Sequence, residues 1–372
     1  MIYLTSIFYF FYFAIIGVHI IFMPKVLEQL GYSSVEIGLI FSAAPLVRFL
    51  VPLFFIKGLK LGNTSFYTAL VILAISVTTF FFSIDNFYFL LVSNILFGVG
   101  LSLILPYIEL ISLQEIGKER YGKSRLFGSI GFMLVALILV RFLADPLVAL
   151  YYLATLSYLT ILFAFFVVSN AKQIKQTAKE DESTNNIFHF LSDWKLWIAF
   201  MLMQVSFGAF YNFFTIYETA HGLSLDMTIY LWSFGVLIEI IMLYVQGRFL
   251  QYNLLKVIEI TILATTLRWS ILLFFPTNLF LLFFSQSLHA LSFALFHSAA
   301  ISYLYHRYTN KALAQQLFSG ISYGLGGLIG ASVAGVIYEY FPEYLFGFSA
   351  LITLLTFFFI RSYQNSYTNA VS

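Results

Sequence analysis

Gly31-Tyr-Ser-Ser-Val-Glu-Ile-Gly-Leu-Ile-Phe-Ser42 leads into one apolar run of this chain, and Gly222-Leu-Ser-Leu-Asp-Met-Thr-Ile-Tyr-Leu-Trp-Ser233 leads into another. Sliding the sequence along itself by 191 residues superposes the two, with Gly31 on Gly222, Ser33 on Ser224 and Ser42 on Ser233. The same shift carries Gly17 onto Gly208. It also places Leu126, Phe127, Ile130, Leu134, Leu137 and Ile138 on Leu317, Phe318, Ile321, Leu325, Leu328 and Ile329. Single matches between Leu-rich and Phe-rich segments are common, whereas separate segments agreeing on one offset are not. The chain reads as two parallel repeats.

Along the whole chain, apolar runs fall near 4–24, 36–56, 64–84, 86–113, 124–144, 147–169, 194–217, 227–247, 256–275, 278–305, 314–338 and 344–361. A hydrocarbon core about 30 Å thick takes about 20 apolar residues per helical span. Of 372 residues, 61% are hydrophobic and only 10% are charged, against about 25% charged in a soluble domain. The runs are too long and too evenly apolar for the roughly ten-residue alternating strands of a membrane barrel. The fold class is therefore all-α integral membrane, with twelve transmembrane helices in two six-helix pseudo-repeats. The halves are expected at 1–169 and 194–372, joined over 170–193 by a polar stretch that carries Lys172, Lys175, Lys179, Glu180, Asp181 and Glu182 and reads as a solvated linker.

Assigning loops alternately to the two sides from a cytoplasmic N-terminus puts fifteen of the 19 Lys and Arg residues on the cytoplasmic side and only Lys25 and Arg141 outside. Both termini are expected in the cytoplasm. No Lys or Arg precedes the first run and no small-residue cleavage site follows it, so it is expected to remain as the first helix. The absence of cysteine excludes disulfides, thiolate metal sites and thiol catalysis. A bacterial inner membrane is the expected location.

A charge in hydrocarbon costs at least about 2.5 to 3.5 kcal/mol on insertion scales, so ionisable residues that persist there face a cavity or a partner. Arg48, Glu239, Arg268 and His289 all fall near the middle of their runs. The 191-residue shift puts Arg48 and Glu239 at the same place in the two repeats, so opposite charges approach one centre from opposite halves. Glu109 and Arg125 can be brought together by a short helical hairpin. Arg48, Glu239 and Arg268 could instead fix helix contacts as a structural ion pair, and Arg125 could serve only the positive-inside bias. His19 and His297 read as hydrogen-bonded packing residues. Glu36 suits a helix start, Glu259 an interface, and the glycines of the eleventh run, such as Gly320, Gly324, Gly326 and Gly330, suit close static packing.

Two six-helix halves joined by a cytoplasmic linker resemble the major facilitator superfamily. Tyr121-Gly-Lys-Ser-Arg125-Leu-Phe-Gly-Ser129, Tyr230-Leu-Trp-Ser233-Phe-Gly235 with Glu239, Arg268-Trp269, Leu288-His289, Phe296-His297 and Arg48 within Val-Arg-Phe-Leu are similar to its phenylpropionate permease and lactose permease branch. The resemblance implies that Glu109 and Arg125 bind solute and that Glu239, Arg268 and His289 couple protons; from the residues themselves, Arg48 or Arg125 is expected to pair with a solute carboxylate through its planar fork. The coupling carboxylate expected about one turn after the helix-ten histidine is Ser292 here, which leaves Glu239 as its substitute. The superfamily's acidic loop signature is degenerate as Lys57-Gly-Leu-Lys60-Leu-Gly62.

Composition, charge placement and resemblance together imply a proton-coupled symporter of a small organic solute such as an aromatic monocarboxylate. The proton gradient is its energy source and it needs no cofactor. Its partners are solute, protons and the lipid bilayer, with no nucleic acid, and it is expected to be a monomer. A sugar or nucleoside transporter and an efflux protein remain open. A membrane-embedded enzyme would need a reactive cluster, and the sequence carries no paired Asp metal-diphosphate motif, no His-Glu-x-x-His and no Gly-x-Ser-x-Gly.

Overall fold

A computed structural model describes residues 1–56, 62–142, 146–171 and 192–371. All regular structure among them is helical. Twelve helices are long and apolar enough to cross a bilayer: α1 (Ile2–Gln29), α2 (Ser34–Val51), α3 (Asn63–Ser83), α4 (Phe87–Gly117), α5 (Arg120–Leu139), α6 (Leu147–Ser169), α7 (Trp194–Ala220), α8 (Leu225–Gln251), α9 (Leu254–Phe274), α10 (Leu279–Arg307), α11 (Leu313–Tyr340) and α12 (Pro342–Ser366). They match the expected runs to within a few residues. The Lys57 to Leu61 part of the loop signature and the linker between 172 and 191 lie outside the described residues.

The repeat is visible atom by atom in the turn after the first helix of each half. Gly31 and Gly222 adopt left-handed backbone with φ of 89° and 91°, which glycine takes without Cβ strain. Gly31 N–H donates to Glu28 O and Tyr32 N–H to Leu27 O; 191 residues on, Gly222 N–H donates to Thr219 O and Leu223 N–H to Glu218 O. Each set closes its helix as a Schellman motif. Ser33 Oγ then accepts from Glu36 N at 3.3 Å and Ser224 Oγ from Met227 N at 3.2 Å, capping α2 and α8 alike.

Large apolar side chains such as Phe82, Phe280 and Phe358 stand mostly exposed on the outer surface, as a bundle solvated by lipid requires. Polar side chains point inward. The halves meet at the end of the bundle away from the termini. There Ser34 N–H donates to Glu339 Oε2 at 2.7 Å, and the outer part of α1 packs on α7. A Cβ on Gly38 would stand 2.6 Å from Ala331 O and 2.9 Å from Gly335 Cα, so α2 and α11 touch backbone to backbone. Elsewhere α11 presses Gly326 and Gly330 onto α7 and Gly324 and Gly327 onto α2. Its glycines thus serve close packing, as expected, and part of that packing is the seam between the halves.

Near the end that carries the termini, ion pairs lie within a half: Arg125 with Glu109, Arg361 with Glu259 and Arg307 with Asp193. Asp193, at the edge of the stretch expected to be solvated, is buried ahead of α7. It accepts from Arg307 Nε at 3.0 Å, Arg307 Nη2 at 3.1 Å and the Tyr308 hydroxyl at 2.7 Å. Three donors, two of them charged, replace the water it gives up.

Candidate functional site

Arg268 of α9 is fully buried at the heart of the C-terminal half. Its Nη2 donates to Gln286 Oε1 at 2.9 Å, and its Nη1 to His289 Nδ1 at 2.9 Å and Ser292 Oγ at 3.4 Å. The guanidinium lies over the rings of Phe210 at 4.1 Å and Trp269 at 4.6 Å, which supply the cation–π attraction a desolvated arginine can use. A guanidinium only donates, so His289 Nδ1 must accept, and the ring proton sits on Nε2. That nitrogen lies 3.3 Å from Glu239 Oε2 of α8. The three residues form a chain, Arg268 to His289 to Glu239. Glu239 and Arg268 do not pair directly, as a structural ion pair would require; His289 stands between them. Ser292, where a carboxylate was expected, gives the arginine a neutral acceptor.

In the N-terminal half, Gly117 breaks the helical path with φ 74°, and Glu109 and Arg125 lie eight residues before and after it. The hairpin brings them together. Arg125 Nε is 3.5 Å from Glu109 Oε1, which also accepts from the Tyr121 hydroxyl at 3.1 Å. The Phe13 ring lies 3.9 Å under the guanidinium. Both charged side chains remain about a third open, at 34% and 31%.

Arg48 of α2 is exposed within the bundle and has no carboxylate within ion-pair distance among the described residues. Its helix packs along the Ser319–Gly326 turn of α11, which carries Tyr323. Glu239 reaches the same place through His289, whose ring stacks on Phe293, and Phe293 in turn meets Tyr211 and Tyr323. The two residues matched by the 191-residue shift thus sit on helices that flank one aromatic wall from opposite halves.

His19 is the packing residue expected, bonded through Nε2 to Asn94 Oδ1 at 3.0 Å between Phe41 and Phe97. His297 is hydrogen-bonded as well. Its Nδ1 lies 2.7 Å from the Tyr323 hydroxyl, and its ring contacts those of Phe318 and Tyr323, each at 5.6 Å. On an ideal α-helix, residues eight apart point about 80° apart, so His289 and His297 would not share a face. Between them Ala290–Leu295 is π-helix, whose wider turn re-aims the residues after it. Val18–Phe22 in α1 and Ser319–Gly326 in α11 are also π-helical. Such turns recur at functional sites and leave no mark in an apolar sequence.

A bundle of two matched six-helix halves that meet over a polar, ionisable centre defines a secondary transporter of the major facilitator fold. The chain belongs to the MFS_1-like family, whose model matches residues 2–348. It is 26% identical over 373 aligned residues, 94% of either chain, to the probable 3-phenylpropionic acid transporter of Escherichia coli (strain K12). Among solved structures it is similar to the nucleoside transporter NupG, with a TM-score of 0.80 at 18% identity over 97% of this chain and 98% of that one. It is also similar to a D-xylose-proton symporter, with a TM-score of 0.68 at 13% identity over 96% and 95%. The expected fold and branch are borne out. Among the described residues no group of His, Asp and Glu could hold a metal ion.

Proposed function

We propose that this chain carries a small aromatic monocarboxylate together with a proton, by alternating access of the two halves. The observation that carries the reading is Arg48, a cation at the shared centre with no acidic partner within ion-pair distance among the described residues. Its planar fork suits a carboxylate held bidentately. The relative named for 3-phenylpropionic acid supports the same class. Glu109, Arg125 and Tyr121 then contact the solute from the N-terminal half.

Glu239 carries the proton, with His289 and Arg268 behind it. A solute carboxylate on Arg48 brings one negative charge into a low-dielectric bundle, and a proton on Glu239 brings one positive charge. The pair crosses with no net charge added, which removes most of the cost of burial. His289 follows the change: its Nε2–H donates to Glu239 when the carboxylate is ionised and is released when it is protonated. No cofactor takes part, and the proton gradient supplies the energy.

The test is accumulation of labelled 3-phenylpropionate in proteoliposomes with an imposed pH gradient. Glu239→Gln should abolish gradient-driven accumulation while solute exchange remains measurable, and Arg48→Gln should lose both by about 100-fold. Undiminished accumulation by Glu239→Gln sinks the proton assignment. A second reading, a neutral hydroxylated solute such as a sugar or nucleoside, is favoured by the Glu109–Arg125 pair, which already balances its own charge. Uptake of such solutes with none of aromatic acids would select it.

A further inference from the structure

The face of the centre built by the C-terminal half contains rings and unused polar atoms that neither the carboxylate nor the proton accounts for. Phe293 lies parallel to His289, with centroids 5.4 Å apart and planes at 5°. Tyr211 and Tyr323 meet it edge-on, at 6.5 Å and 82° and at 6.5 Å and 79°. All three rings are only half-buried. His297 is held against this wall by its 2.7 Å bond to the Tyr323 hydroxyl and by ring contacts of 5.6 Å with both Phe318 and Tyr323. That bond uses Nδ1. It leaves His297 Nε2 and the Tyr211 hydroxyl without protein partners among the described residues, both beside the wall that the helices of Arg48 and Glu239 flank.

We propose that Tyr211, Phe293 and Tyr323 form a subsite for the solute's ring, that His297 is its polar edge, and that this edge selects aromatic acids with a hydroxyl on the ring. The inference rests on the proposed function, in which Arg48 takes the carboxylate. A flat ring against a wall of half-buried rings gains stacking and edge contacts without needing any hydrogen bond. An unsubstituted ring displaces water from His297 Nε2 and the Tyr211 hydroxyl and gives them nothing in return. A ring hydroxyl, donor and acceptor at once, satisfies either. Sites that hold buried polar atoms discriminate against a ligand that leaves them unpaired.

The experiment is exchange in proteoliposomes with 3-phenylpropionate and its 3- and 4-hydroxyphenyl analogues, recording half-saturation and maximal rate separately. The wild-type chain should half-saturate with the better hydroxylated analogue at about one-tenth the concentration needed for 3-phenylpropionate, the value of one satisfied hydrogen bond. His297→Phe keeps a ring and removes the nitrogen. It should cost about tenfold in half-saturation for the hydroxylated analogue and less for the parent acid, erasing most of the preference. Tyr211→Phe, which removes a single oxygen, gives an independent reading if His297→Phe does not fold.

Equal use of all three acids by the wild-type chain, or an unaltered preference in both variants, overturns the subsite while 3-phenylpropionate exchange still upholds the proposed function. Exchange of sugars or nucleosides with none of the aromatic acids overturns the proposed function and the subsite with it.

Discussion

Arg268 and Glu218 are both completely buried ionisable side chains of the C-terminal half, and their surroundings differ in kind. Around Arg268, an amide, an imidazole, a hydroxyl and two aromatic faces share the charge. Around Glu218, neither carboxyl oxygen has a hydrogen-bond partner. A buried polar group without a partner costs about 1 to 3 kcal/mol, so Glu218→Met should raise the midpoint of thermal unfolding in detergent by a stability gain of that size. A fall in the midpoint would show that the carboxyl is satisfied in the folded protein. Glu239, Arg268 and His289 were legible in the sequence because each is a polar residue in the middle of an apolar run. Their order was not, since the 3.3 Å contact that puts His289 beside Glu239 depends on how α8, α9 and α10 pack. Glu218 fell one residue past the expected run of 194–217 and is brought inside only because the helix continues to Ala220.

At the level of helices, the apolar runs located all twelve spans, and one numerical offset paired α2 with α8 and α5 with α11. The local turns inside helices escaped, because a π-turn changes direction without interrupting hydrophobicity. The seam between α2 and α11 was only half legible: glycines announce close approach but do not name the helix approached. With Ala331 O only 2.6 Å from where a Gly38 Cβ would stand, a larger side chain must push the helices apart, because backbone cannot yield as a flexible side chain can. Gly38→Leu should therefore open the seam. Ile37, 1% exposed, is the reporter: Ile37→Cys should resist a water-soluble maleimide alone and be alkylated at least about tenfold faster when combined with Gly38→Leu. Equal rates would mean that the seam closes around the added side chain.

For the molecule as a whole, the distribution of charge makes a claim about direction. The two ends of the bundle differ in basic residues by fifteen to two when loops are assigned alternately. That bias predicts that the end bearing both termini lies in the cytoplasm, in which case the closed α2–α11 seam is the outer gate and the Glu109–Arg125 pair lies nearer the cytoplasm. The natural sequence has no cysteine, so a single introduced thiol is the only one present. Tyr344, in the first turn of α12, and Tyr252, between α8 and α9, are both well exposed, at 68% and 71%, and by the order of the spans lie at opposite ends. In intact cells an impermeant maleimide should label Tyr344→Cys and spare Tyr252→Cys, and in inside-out vesicles the pattern should reverse. The opposite result would turn the bundle over and make the α2–α11 seam a cytoplasmic gate. It would leave the Arg48 and Glu239 assignments intact, because a site on the shared axis of two matched halves works from either side.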